Sequence, residues 1–481
     1  MAAWIACVLC ALIIVKPQEF IVALEGVPLV HACFALAVIA CFADVVRRRV
    51  RVAAAPQIPF MLAFFAWALA VTAVKRPDAL EAQLMAFAIL AGVFLAVAIG
   101  CASAAGVRAF ALTFTACAAL ATAVALTQSQ RPFGCFLAAP EDWEGRGELT
   151  FDGRSCESAL DCRKDAPVVD GNYRCERRGP LNTATIGGRV RYRGSLADPN
   201  ELSLTISAAL PLAIALGARG RARARRSPAR VALPPLVGDE LLRRAAGTVR
   251  GLPVLALHAA VATAVVLSRS RTGLLVFLAV VGIHAVRRSG AWAVVAGCVI
   301  GPPMLLLGGR SGAEAEESAG ERAEILREGF ELIRSTRGFG LGAGQFTDAS
   351  SIGMTAHNAF VLAAAEAGIV GYLLFFFMLY LSLKIPVVVW LGDRPASAET
   401  ARMAAAIATA TAGLLLGILF LSWSYKDVLY MVLGASAALF SAARARDPEL
   451  RVGLSLREAA LVATAAMGLL AVVYVGSRLA R

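Results

Sequence analysis

Residues 321–371, ERAEILREGFELIRSTRGFGLGAGQFTDASSIGMTAHNAFVLAAAEAGIVG, gather reactive side chains into one polar interruption of a hydrophobic chain. His357 is one of four histidines in 481 residues, and it alone lies in a predominantly polar stretch. An imidazole there can hold or accept a proton near neutral pH; a plain interfacial histidine is the competing reading. Along 321–334, at 100° per residue, Ile325, Leu326, Gly329, Phe330 and Ile333 share one helix face. Glu324, Arg327, Glu328 and Glu331 share the other. Arg322 belongs to the apolar face, so it is expected to point inward, where an unpaired charge is costly. A structural ion pair and a fixed cation for a phosphate both answer that need. Arg327 and Arg334 read as solvated positions.

Two further arginine clusters flank apolar segments. In LSRSRTGLL (267–275) only a few residues join two spans, which puts Arg269 and Arg271 at a membrane boundary. Snorkelling anchors and anion capture both fit. In RVRYRGSLADPNELS (189–203), Asp198, Pro199 and Glu201 match Ncap, N1 and N3 of the next helix, close to a capping box. Arg191 and Arg193 then sit just before a helix N-terminus, where exposed N–H groups favour an anion. Asn358 opens the helix after His357, and Glu366 is an ionisable group in an apolar helix, a functional candidate by default. Gly338, Gly340, Gly342 and Gly344 match no nucleotide fingerprint; a backbone path over a ligand and a mere turn suit them equally. The sequence has no DxD, HExxH or paired histidines for a metal, and no GxSxG nucleophile. No cofactor is expected.

The elements that position these residues are membrane helices. The chain is 58% hydrophobic with mean hydropathy +0.69. Apolar segments recur near 2–15, 21–45, 58–74, 80–100, 107–127, 200–218, 251–267, 272–286, 291–307, 368–391, 402–422, 427–444 and 456–478. The expected fold is therefore all-α and polytopic, with 12–13 transmembrane helices. An odd count leaves the C-terminus outside. A short first span, or a re-entrant piece in 357–391, would return the count to twelve.

The net charge of +13 is read as topology and membrane-lipid contact, with no nucleic-acid partner. Loop 219–250 carries nine arginines against Asp239 and Glu240, and RRRVR occupies 47–51. Both are expected on the cytoplasmic side. Loop 128–199 balances its charges and 308–356 is acidic through Glu314, Glu316 and Glu317, which suits the outer face. Seven of eleven cysteines lie in apolar helices. Cys135, Cys156, Cys162 and Cys175 all fall in 128–199 and predict two disulfides, with three connectivities open. The expected divisions are 1–127 (N-terminal helices), 128–199 (cysteine-bearing periplasmic loop), 200–307 (central helices), 308–367 (periplasmic helical and catalytic loop) and 368–481 (C-terminal helices).

On RYRGSLADPNELS, SRSRTG, ERAEILREGFELI leading to RGFGLGAGQF, and TAHNAFVLAAAEAGIVG, the chain resembles the O-antigen ligase and polymerase superfamily. The similarity covers roughly 190–375. It implies a bacterial inner-membrane glycosyltransferase that moves a glycan from undecaprenyl diphosphate to an acceptor hydroxyl, on lipid A core or a glycan, at the periplasmic face without metal. Arg193, Arg271 and Arg322 would then hold the diphosphate, with His357 at the reaction centre. The large cysteine-bearing loop and the extra final span depart from the simplest family pattern and leave the acceptor open. A polysaccharide transporter is the alternative of a different class.

Overall fold

A computed structural model describes residues 1–49, 52–138, 149–164, 166–168, 171–217, 237–307, 313–392 and 397–479. Most of loop 219–250 and the side chains of Asp239, Glu240, Glu314, Glu316 and Glu317 lie outside the described residues. The helices are α1 (Ala2–Val15), α2 (Leu29–Val46), α3 (Ile58–Lys75), α4 (Leu80–Gly100) and α5 (Ala104–Ser129). A small lobe follows, with β1 (Phe133–Ala138), β2 (Leu149–Ser155), α6 (Ala159–Arg163) and β3 (Tyr173–Arg177). Then come α7 (Pro199–Gly217), α8 (Val237–Leu267), α9 (Arg271–Ser289), α10 (Ala291–Leu307) and α11 (Ala313–Ser335). The chain ends with α12 (Phe346–Ala349), α13 (Ala359–Leu391), α14 (Ala398–Gly417), α15 (Asp427–Arg444) and α16 (Leu456–Leu479).

Among the described residues, 11 helices are long and apolar enough to cross a membrane, and Leu252–Leu267 and Ala291–Gly301 are shorter apolar helices. The expected span 21–45 starts late. Lys16 turns the chain with φ 50°, and two 3-10 turns, Pro17–Glu19 and Val22–Leu24, precede α2. Pro17, Gly26 (φ 75°) and Pro28 account for this, because none of them continues a helix. Contacts between helix ends fix which termini share a face. The N-terminal amine meets Asp44 at the end of α2, 3.4 Å away, and Arg108 meets Glu399 at 3.6 Å. On the other face, Tyr192 donates to the Val15 carbonyl at 3.0 Å. The ends of α7, α9, α13 and α16 that meet there (residues 200, 271, 358 and 476) surround one cavity. The two chain termini thus fall on opposite faces, as an odd number of crossings requires.

The lobe differs from the all-α expectation. Its three strands form an antiparallel sheet in the order β2-β1-β3 around a small core of Phe136, Ala138, Leu149 and Ala184. So few apolar residues rarely hold a fold unaided. Covalent links join Cys135 to Cys162, fastening α6 to the central strand β1, and Cys156 to Cys175, linking the end of edge strand β2 to edge strand β3.

Helix α13 breaks at Gly368 (φ 70°, ψ −179°). The break frees carbonyls that lipid cannot satisfy, and each finds a donor. Leu341 N–H donates to Ala365 O and Gly342 N–H to Glu366 O, both at 3.0 Å. The Trp67 indole donates to Ala367 O at 2.8 Å. This settles the use of the glycine run. A Cβ on Gly340 would collide with the Glu366 carbonyl, and one on Gly368 with Gly338 O. The run packs backbone against backbone on the broken helix. Gly368→Ala is expected to destabilise the protein by roughly 2–3 kcal/mol, because that backbone region is essentially glycine-only. A lowered thermal midpoint in detergent would register it; an unchanged midpoint would contradict this account.

Candidate functional site

A cavity of about 490 Å³ opens where the ends of α7, α9, α13 and α16 meet α11 and the loop after α14. Its cationic wall comprises Arg189, Arg269, Arg271 and Arg322, and His357 and Asn358 close one side. Leu469, Val472, Val473 and Gly476 of α16 supply an apolar wall. Helix α16 leaves Leu461, Val472 and Val475 exposed at 65%, 70% and 54%, so it is a peripheral helix beside lipid-facing surface. A polar head and an apolar tail would both find matching surface here.

Local rules explain how each cation arrives. Arg269 takes φ 47° and is followed by Ser270, whose hydroxyl accepts from Gly273 N–H at 2.9 Å and caps α9. His357 takes φ 49° and is followed by Asn358, whose Oδ1 accepts from Phe360 and Val361 N–H at 2.9 and 3.0 Å. Asn358 Nδ2 donates to Leu419 O at 2.9 Å, tying this cap to the loop after α14. Both left-handed residues are non-glycine, a conformation that costs energy and clusters at functional sites. Each reaches the cavity because the capping residue behind it holds the turn. The first turns of α7, α9 and α13 all end at the cavity, and their N–H dipoles add positive potential to the guanidinium groups.

Gly273 lets α9 approach α7. A Cβ there would overlap Ser203, whose hydroxyl is held by Asn200 O at 2.9 Å. Gly273→Ala is expected to push α9 outward, shift Arg269 and Arg271, and lower the thermal midpoint in detergent. Adding Ser203→Gly removes the collision and should restore it. Failure of that double variant to recover would sink this packing argument.

The structure gathers Arg269, Arg271, Arg322, His357 and Asn358 from the sequence expectations, and it adds Arg189. Arg189 is 8% exposed; its Nε donates to Ser268 O at 2.8 Å and its Nη2 to Asn200 Oδ1 at 3.4 Å. Arg191 and Arg193 line a different cavity. The Arg191 Nε donates to Ala184 O at 2.9 Å. Arg193 donates to Leu181 O and Asn182 O at 2.8 and 2.7 Å and faces Glu19 at 3.6 Å. The structure thus separates Arg191 and Arg193 from Arg269, Arg271 and Arg322, and places Arg189 of the same segment beside the latter.

The register is set from the lobe. Glu176 of β3 is buried at 3% exposure. Its carboxylate accepts from Thr185 Oγ1 at 2.6 Å and from the N–H groups of Gly187 and Gly188 at 2.5 and 3.1 Å. Ile186 and Arg189 close the tight turn around those glycines. Glu176 thus holds the turn that delivers Arg189, and nothing in local sequence spacing pointed to it.

Other expectations change role. Glu366 lies outside the cavity, and its Oε1 accepts from Phe346 N–H at 3.0 Å, anchoring the glycine run. Asp198 caps α7 by accepting from Asn200 N–H at 2.6 Å. Glu201 pairs with Lys426 at 2.8 Å and accepts from the Trp423 indole at 3.1 Å, joining α7 to the α14–α15 loop. Arg327, expected to be solvated, donates to Ser477 O at 2.9 Å and ties α11 to α16. No family model, no curated protein and no solved structure matches this chain.

Proposed function

We propose that this protein is a multi-pass membrane glycosyltransferase of the O-antigen ligase type. It would transfer a glycan from a polyprenyl diphosphate to an acceptor hydroxyl, on lipid A core, at the periplasmic face of a bacterial inner membrane. The observation that carries this reading is the cavity itself: four guanidinium groups and one imidazole beside an apolar helix wall. Guanidinium groups bind phosphate oxygens in planar, bidentate fashion, and the α16 wall suits a lipid tail. In the step, the bond between the sugar C1 and the diphosphate oxygen breaks, and its electron pair leaves with the polyprenyl diphosphate. The acceptor oxygen bonds to C1, and its proton passes to His357. Fixed cations stabilise the developing charge without reorganising. Arginines on the opposite face, Arg47, Arg48, Arg49, Arg287 and Arg288 at the ends of α2 and α9, support this sidedness. The cystine-linked lobe on the site face fits an oxidising compartment.

Gel analysis of lipopolysaccharide from a deletion strain tests the reading. Loss of all capped core with accumulation of carrier-linked polymer is the expected result. A single-repeat ladder would instead assign repeat-unit polymerisation, and an unaltered pattern would refute both. The break in α13 does not favour a transporter: its freed carbonyls are satisfied by protein, and the cavity lies at the helix ends.

A further inference from the structure

A second cavity, of about 710 Å³, lies on the other side of segment 189–197 from the first. One wall is the lobe, with Thr150, Phe151 and Arg178; the other is the turn after α1, with Gln18, Glu19, Phe20 and Glu25. Arg191 and Arg193 form the floor. The Arg178 guanidinium lies 4.9 Å from the centre of the Phe151 ring, and Arg193 lies 5.6 Å from that of Phe20. Two arginine–aromatic pairs thus line the groove, Arg178 with Phe151 and Arg193 with Phe20. Gln18 Oε1 and Arg193 Nε are buried without a hydrogen-bond partner in the described protein, which is costly unless a ligand or water completes them. The floor cations are largely matched: Arg193 faces Glu19, and Arg191 is spent on backbone carbonyls. An anion would gain little here.

We infer that this groove binds a saccharide chain. Sugars present apolar C–H faces that stack on flat rings and a rim of hydroxyls that need paired donors and acceptors. The groove offers both, in the mixed lining expected of a small-molecule site. The inference rests on the glycosyltransferase reading for its biological role. It assigns the groove to sugar units away from the reacting bond, either of the acceptor or of the transferred glycan.

Saturation-transfer NMR on the full chain in nanodiscs tests it with two probes. One is the delipidated core oligosaccharide of the source bacterium, and the other is the glycan released from its lipid carrier. Wild-type protein should saturate one probe, which then names the source. Arg322→Ala should leave that signal intact. Arg178→Ala, an exposed position, should weaken binding roughly tenfold by removing the guanidinium donors paired with Phe151 on the lobe wall. Thr150→Trp, also exposed, should block the groove and abolish the signal without touching the lobe core. No saturation of either probe, loss in Arg322→Ala, or persistence in Thr150→Trp would each overturn the inference. If Arg322→Ala keeps full glycan transfer while Thr150→Trp removes saturation, the first cavity's reading fails and the groove stands.

Discussion

Arg322→Ala and His357→Ala should each abolish glycan transfer while membrane abundance stays at the wild-type level. Arg322 is one of four arginines lining the cavity, and it is carried on α11, whose apolar face packs inward. Losing one preorganised cation at a developing negative charge costs about a hundred- to a thousand-fold in turnover. Arg322→Lys should recover little, since an ammonium cannot reproduce the planar fork. His357→Ala removes the proposed proton acceptor and a left-handed residue together. His357→Gln therefore belongs beside it: it preserves size and hydrogen bonding and removes basicity. The checks are core capping on gels and protein level by blotting. Full capping in Arg322→Ala and His357→Ala, at normal expression, would end the site assignment.

The second large effect should come from a residue outside the cavity. Glu176→Ala removes the acceptor for Thr185, Gly187 and Gly188. Leaving the buried Thr185 hydroxyl unpaired costs about 1–3 kcal/mol, and the Gly187 and Gly188 amides lose their shared acceptor, so the turn should open and Arg189 should swing from its place beside Ser268 and Asn200. Transfer should drop at least tenfold, by an effect that operates only through Arg189. In an Arg189→Ala background, Glu176→Ala should then add almost nothing, the signature of two residues acting as one unit. Full additivity would show that Glu176 acts elsewhere. Replacing Cys156 and Cys175 with serine should act in the same direction, because that link holds β3 next to Glu176.

The arrangement joins two features that differ in kind. The membrane helices are held by lipid exclusion and close packing, as at Gly273 against Ser203. The lobe is held by two covalent links around a minimal core. Segment 185–200 belongs to both: Glu176 of the lobe fixes its start, and Asp198 caps α7 at its end. Arg189 therefore reports the geometry of the lobe to the cavity.

Hydropathy alone located the membrane helices, because in lipid a long apolar run has no alternative to satisfying its own backbone. It erred at α2, where Pro17, Gly26 and Pro28 override apolar character. Helical periodicity placed Arg322 on the inward face of α11, since facing within one helix is a local property. The short link between α8 and α9 likewise left Arg269 and Arg271 no freedom to lie elsewhere. Spacing could not choose among Arg189, Arg191 and Arg193. In an irregular segment the direction of a side chain depends on what holds the turn, and here that is a carboxylate on another strand. Nor could it foresee that Glu366 and the glycine run serve a helix break, because the partners meet only once Gly368 turns the chain. Local physics thus determined the helices and most of the cations, while long-range contacts decided which arginine joins them.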